Sequence, residues 1–167
     1  LVGYYGYFNH RESQGFRDLN SHYDVYSGGA KLKIKQNPQT IWGITLDGYN
    51  EEHGEPGGLT RADFDSDPTK TTRLNDRFEL NRQAGTITLD KKINDDTFLA
   101  AKGFGTYYER LSWRQRTSGS AFGNLPSGVN STTNEIQSQE FYTGGGEVRL
   151  RQNYQALGSP EHILTGG

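Results

Sequence analysis

YSGGAKLKIKQNPQTIWGITLDGY, Tyr26 to Tyr49, holds two apolar alternations separated by a turn. On the first arm Tyr26, Gly28, Ala30, Leu32 and Ile34 share one face, while Ser27, Gly29, Lys31, Lys33 and Lys35 take the other. On the second arm Trp42, Ile44 and Leu46 oppose Thr45, Asp47 and Tyr49. A period of two is the spacing of a β-strand with one apolar side and one polar side. Only a short turn near Gln36 to Gln39 joins the two arms.

The same period marks Val2 to His10, Tyr23 to Lys35, Thr40 to Asn50, Phe78 to Asp90, Thr97 to Arg110, Gln139 to Asn153, and a last short piece around His162 to Thr165. In the fifth of these the contrast is weaker. Leu99, Ala101, Gly103, Gly105 and Tyr107 oppose a mixed face of Phe98, Lys102, Phe104, Thr106 and Arg110. No window of comparable length has a 3.6 period, so an all-β chain of about seven antiparallel strands with little or no helix is expected.

Composition agrees with strands that have one apolar face. Hydrophobic residues are 31% of the 167 and mean hydropathy is -0.86, yet 10 Tyr, 8 Phe and 2 Trp are too many aromatics for a solvated tail. The net charge of -2 gives no reason to expect a nucleic-acid partner. With no cysteine, disulfides and thiolate sites are excluded. No run of apolar residues is long enough for a transmembrane helix, which leaves open a membrane crossed by strands. The start, LVGYYGYF, has no basic stretch, so no signal peptide is expected there.

The links between strands alternate in length. Short ones lie near Gln36 to Gln39, at KKINDD and at ALGSPE; long ones span Arg11 to His22, Glu51 to Arg77 and Leu111 to Ser138. Tight turns at one end and extended loops at the other characterise an outer-membrane barrel, whose tilted strands need about 9–11 residues to cross the bilayer. Three loops of that size on one edge would be unusual in a soluble sandwich.

The second long loop and its flanks carry a family likeness. EPGGLTRADFDSDPTKTTRLNDRFELNR, with TIWGITLDGYNEEHG before it and FLAAKGFGTYYERL after it, resembles the early barrel of ferric citrate receptors among the TonB-dependent outer-membrane transporters. A weaker likeness runs through RESQGFRDLNSHYD and FYTGGGEVRLRQNY. The resemblance implies a transmembrane barrel of 22 strands around a plug, and uptake of a ferric chelate across the outer membrane of a Gram-negative bacterium, driven by the TonB complex. Its implied partners are the ferric chelate or siderophore, outer-membrane lipid and lipopolysaccharide, the receptor's own plug and TonB. Iron would enter as part of the chelate, with no resident cofactor and no enzymatic step. Residues 1–167 contain neither plug nor TonB box and are expected to be one segment of the barrel, since an open sheet in lipid leaves unpaired backbone edges at several kcal/mol per group.

The resemblance places Arg110 where a ligand arginine belongs, on the face expected to line the lumen with Lys102 and Thr106. A salt bridge in the lumen wall is the alternative role. Guanidinium forks suit an anionic chelate because they bind carboxylates bidentately. The next ligand arginine of the family aligns with Gln139, which lacks the charge and leaves room for another hydroxycarboxylate chelate or siderophore. Arg114 and Arg116, in LSWRQRTSG, are expected in a loop within reach of the ligand, with Trp113 as interface anchor or lid. Arg149 and Arg151 are expected to alternate on the inner face, toward water or the plug.

Pro56, Gly57, Gly58, Arg61, Asp63 and Asp65 fall in the loop expected to gate the site. Asp63, Asp65 and Asp67 have the spacing of half a calcium loop, but Pro68 and Leu74 stand where its glycine and bidentate glutamate belong. The carboxylates are expected to be solvated or paired with Arg61, Arg73 and Arg77. His10, His22, His53 and His162 lack metal-ligand spacing and are expected at rims and turns. Asn130-Ser131-Thr132 matches a glycosylation sequon, which has no meaning in an outer-membrane protein. The rival reading is a secreted β-rich module binding carbohydrate through Trp42, Trp113 and tyrosines. It requires Tyr26, Leu32, Ile34, Trp42, Ile44 and Leu46 to be buried between two layers; the barrel requires them exposed.

Overall fold

The computed structural model describes residues 1–115, 134–156 and 159–167. Seven strands, β1 (Val2–Ser13), β2 (Tyr23–Asn37), β3 (Thr40–Gly54), β4 (Arg77–Lys92), β5 (Thr97–Gln115), β6 (Asn134–Ala156) and β7 (Ser159–Gly166), form one sheet in sequence order. Every neighbouring pair is antiparallel. One short helix, α1 (Arg61–Ser66), lies between β3 and β4.

The register makes one continuous apolar face. Tyr4 pairs with Leu32, Leu32 with Ile44, Ile44 with Ile87, Ile87 with Gly103 and Gly103 with Gly146. The next row joins Val2, Ile34, Trp42, Leu89, Ala101 and Val148. Directly paired residues project to the same side, so both rows lie on one face. Opposite them the other face carries Lys31, Lys33, Lys35, Lys102, Arg149 and Arg151. The apolar face continues toward the long loops as an acidic margin of Glu12, Asp24, Glu52 and Glu79, which pair in one row. The small net charge of the chain therefore conceals two surfaces of opposite sign.

Among the described residues the apolar face has no covering layer. Tyr26 and Leu46 are 41% and 57% exposed, Leu32, Ile34, Trp42 and Ile44 are half-buried, and Val25 is the one buried hydrophobic residue among those described. A sandwich would bury Tyr26, Leu32, Ile34, Trp42, Ile44 and Leu46 against a second sheet, and the described residues form none. The polar face is the hollow one. A cavity of ≈ 490 Å³ is lined by Asp90, Lys92, Phe98, Ala100, Arg149 and Arg151 among others, and another of ≈ 380 Å³ includes Arg11, Val25, Tyr49, Glu51 and His53.

The strands run further than the sequence pattern indicates. β3 was expected to stop at Asn50 and β5 at Arg110, but they continue to Gly54 and Gln115, and β6 begins at Asn134 rather than Gln139. Pairing persists through Glu52 with Glu79, His53 with Phe78 and Ser112 with Gln137. Once neither face is apolar the alternation disappears from the sequence, yet the backbone ladder needs only N–H and C=O groups. The loops shorten accordingly to 14–22 and 55–76, and the third, 116–133, lies outside the described residues. Trp113 and Arg114, expected in that loop, are strand residues of β5. Trp113 pairs with Arg77 and Ile136 on the apolar side of the sheet, with the Arg77 guanidinium 4.2 Å from its ring center.

The absence of cysteine permits a clean test of the two faces. Single cysteines placed from 99 to 106 on β5, in the protein carrying this chain and embedded in lipid, should alternate strictly: odd positions quenched by a lipid-soluble reagent, even positions labelled by a charged aqueous thiol reagent. Equal aqueous labelling at both parities would refute a lipid-facing role for the apolar side.

Candidate anion-binding site

At the loop end of the hollow face one register row reads Arg11, Val25, Glu51, Leu80, Arg110 and Gln139. This row puts Gln139 directly across from Arg110. One step toward the loops, Phe78 pairs with Ser112 and His53. The Arg110 and Arg114 guanidiniums lie 5.3 Å and 4.8 Å from the center of the same Phe78 ring. Phe78 thus forms a shared platform for two cations, a contact stabilised by the ring quadrupole. His53 closes its other side at 5.5 Å, and its Nδ1 is 2.8 Å from Glu51 Oε1. Tyr49 Oη donates to the second oxygen of Glu51.

The two arginines differ in occupancy. Arg114 Nη2 is 3.2 Å from Glu55 Oε2. Arg110 Nε is buried and, among the described residues, has neither a hydrogen-bond acceptor nor a carboxylate partner. A buried guanidinium nitrogen without an acceptor is costly. Arg116 lies outside the described residues. Arg149 Nη2 pairs with Glu147 Oε1 at 2.5 Å and Arg151 covers Phe98 at 4.1 Å, far down the hollow face from Arg110.

The loop 55–76 is built around its Pro-Gly-Gly turn. Pro56 O accepts from Thr72 N at 2.7 Å and Arg73 N at 3.0 Å, and Gly58 O accepts from the buried Thr72 Oγ1 at 2.9 Å. Gly57 has φ 82°, and a Cβ there would collide with Thr72 Oγ1. Only glycine meets both conditions without strain. Thr60 caps α1 by accepting from Asp63 N at 3.1 Å, a first-turn arrangement that its sequence offers as Thr-x-x-Asp.

The aspartates do not converge. Asp65 pairs with Arg61 at 2.8 Å as expected, but Asp63 bonds Lys70 and Thr60, and Asp67 accepts from Thr69 N and Oγ1 at 3.0 and 2.7 Å. Arg73 and Arg77 lie beside Asp76 and Glu79 instead, at 3.8 Å and 3.6 Å. Sequence spacing could not choose among these partners because α1 and the turn after it reverse the chain. His10 is on the apolar side, stacked on Tyr26 at 4.3 Å with its Nε2 2.7 Å from Asp24.

Asn20 fastens the whole loop. It has φ 54°, a left-handed conformation that Asn tolerates, and its Nδ2 lies 3.1, 2.9 and 2.7 Å from the carbonyls of Glu55, Arg73 and Asp76. Arg17 Nη1 donates to Lys70 O at 2.5 Å, and Leu19 and Thr71 exchange two bonds of 3.1 and 2.6 Å. The buried Asp76 accepts from Gln115 N at 2.6 Å. The loop expected to gate the site is thus laced to the 14–22 loop and to the tip of β5. The residues missed in the sequence are Asn20, Glu55 and Phe78, none of which has a motif that marks it; their shared position follows from register.

These features define a class: a stretch of β-barrel wall, apolar and exposed on one side, polar and hollow on the other, with laced loops at one end. No protein-family model matches the sequence, and no curated protein matches it. Among solved structures, the crystal structure of the ferric citrate transporter FecA in the unliganded form matches over 93% of this chain with a TM-score of 0.75 at 20% identity. The chain spans 21% of that protein's length. At this identity the likeness establishes the fold, that of a barrel segment.

Removing the Asn20 amide takes a donor from the carbonyls of Glu55 and Arg73, while Asp76 O keeps the Glu55 N–H, at a cost of roughly 1–3 kcal/mol. Asn20→Ala should therefore raise proteolytic cleavage in 14–22 and 55–76 together; cleavage rising in one loop alone would show that they are independent. Acid should loosen the second loop too. Hydrogen bonds from Lys70 and then Thr60 hold the Asp63 carboxyl below its usual range, and Thr69 does the same for Asp67. A depressed carboxylate stabilises fully above its unfolded pKa, about 4, and loses that stabilisation as pH falls through the folded value. Amide exchange over 60–72, corrected for intrinsic rate, should accelerate below about pH 4 and be flat from pH 5 to 8.

Proposed function

We propose that this chain supplies part of the wall and the extracellular loops of a Gram-negative outer-membrane receptor that imports a ferric chelate, ferric citrate or a similar anionic siderophore, with TonB supplying the energy. The observation that carries this reading is the Arg110 guanidinium, unpaired among the described residues, at the loop end of a hollow polar face whose reverse is apolar and exposed. The fold neighbour is by name a ferric citrate transporter, which supports transport rather than catalysis for a chain with this architecture. Among the described residues no helix is long and apolar enough to cross a membrane, a statement that does not bear on strands, and an exposed apolar sheet face finds a suitable medium in lipid.

In this reading β1 to β7 are consecutive strands of a larger closed barrel, which pairs the free edges of β1 and β7. The apolar face meets outer-membrane lipid and lipopolysaccharide. The basic lower part of the hollow face, with Lys31, Lys33, Lys102, Arg149 and Arg151, faces water or the receptor's plug. Arg110 takes a chelate carboxylate, Gln139 across from it contributes an uncharged hydrogen bond, and Arg114 extends the cationic rim. Pro56, Gly57, Gly58, Arg61, Asp63 and Asp65 shape a loop over the site. Iron is cargo held by the chelate; the protein carries no resident cofactor, performs no covalent chemistry and takes no nucleic acid.

In the intact receptor, Arg110→Ala should weaken ferric citrate binding about ten- to a hundredfold, the equivalent of roughly 1.5–3 kcal/mol for a hydrogen bond to a charged group. Gln139→Arg should tighten it. Binding is read at one fixed ionic strength, with a neutral siderophore as control. Unchanged affinity in Arg110→Ala would remove this residue from the site and the chelate reading with it.

A further inference from the structure

Glu55 is held where it competes with a ligand. Its N–H donates to Asp76 O at 2.8 Å, and its carbonyl accepts from Asn20 Nδ2 at 3.1 Å, so its backbone is fixed at the loop base. From there the side chain reaches the tip of β5 and places Oε2 3.2 Å from Arg114 Nη2. Arg114 and Arg110 are four residues apart on one face of β5, with Ser112 between them, and share the Phe78 ring. By sequence they are an equivalent pair of cations. In the folded protein one is already carrying a carboxylate.

We propose that Glu55 is the specificity-determining residue of this cluster: its carboxylate occupies Arg114 in place of a ligand carboxylate and leaves Arg110 as the cation offered to an anionic chelate. The inference rests on the reading of Arg110 as a ligand contact. A chelate presenting one carboxylate is received at Arg110 alone. A chelate with a second carboxylate in reach gains Arg114 only by displacing Glu55, whose negative charge also opposes anionic ligands generally.

The displacement is within reach of a small ligand. The Arg114 and Glu55 side chains are 51% and 30% exposed, and an ion pair so open to water is weakly held and screened by salt. Only the Glu55 side chain has to move, because Asn20 and Asp76 keep its backbone in place. The Phe78 ring center lies within 5.3 Å of both guanidiniums, so the two cations stay side by side whether or not Glu55 is on Arg114, and a guanidinium can take a carboxylate bidentately.

The test uses the intact receptor with ferric citrate as the probe, and heat-modifiable gel migration confirms that each variant is folded. Glu55→Gln, which keeps the shape and removes the charge, should tighten binding about two- to fivefold at low salt, the range that an exposed ion pair represents. That gain should fade at high salt and shrink in the Glu55→Gln/Arg114→Gln double variant, since the freed cation is what the ligand takes. A merely structural Glu55 would weaken binding, or change it equally at both salts. If Arg110→Ala weakens binding while Glu55→Gln leaves it unchanged or weaker, the inference is overturned and the receptor reading stands. If the receptor binds no ferric citrate and no other anionic chelate, both fall.

Discussion

Everything in this chain depends on the antiparallel backbone ladder, because the sheet has almost no core to fall back on. In an ordinary domain a slipped strand is penalised by packing. Here Val25 is the one buried hydrophobic residue among those described, so the N–H to C=O pairing from β1 to β7 has to hold the strands, and the contrast between faces has to hold the register. A slip of one residue would exchange Leu32 for Lys33 and Ile44 for Thr45 on the apolar side. It would also break the shared Phe78 platform, since Arg110 would move to the opposite face.

The same ladder explains how an almost neutral chain produces a strongly polarised one. Lysines alternate with aliphatic residues on β2, so pleating sends Lys31, Lys33 and Lys35 one way and Leu32 and Ile34 the other. The acidic row of Glu12, Asp24, Glu52 and Glu79 joins the apolar side near the loops. Like charges directly opposite one another repel, and the sheet accepts that cost where the margin is open to water. The hollow face gains a field that attracts anions toward its floor, with Arg110 at its loop end.

Above the ladder, side chains take over the work of holding the backbone. The loop 55–76 has little regular structure beyond α1, so its carbonyls need partners from elsewhere. The Asn20 amide nitrogen sits against three of them from the neighbouring loop, and the Asp76 carboxylate accepts from the β5 backbone at Gln115. Glu55 is therefore positioned by contacts that have nothing to do with charge, and its carboxylate arrives at Arg114 as a consequence of them.

By itself the sequence determined the strands, their number and their sides, because period two in Tyr26 to Ile34 and Trp42 to Leu46 is a direct image of the pleat. It also placed Arg110 with Lys102 and Thr106 on the polar side. It could not determine where β3, β5 and β6 end, since polar residues on both faces leave no alternation although the hydrogen bonds continue. Nor could it pair Asp63 with Lys70, bring Asn20 to Glu55, or distinguish Arg114 from Arg110. The partners in those contacts are chosen by cross-strand register and by chain reversal within and between the loops, which exist only once the sheet has formed and brought the loop ends together.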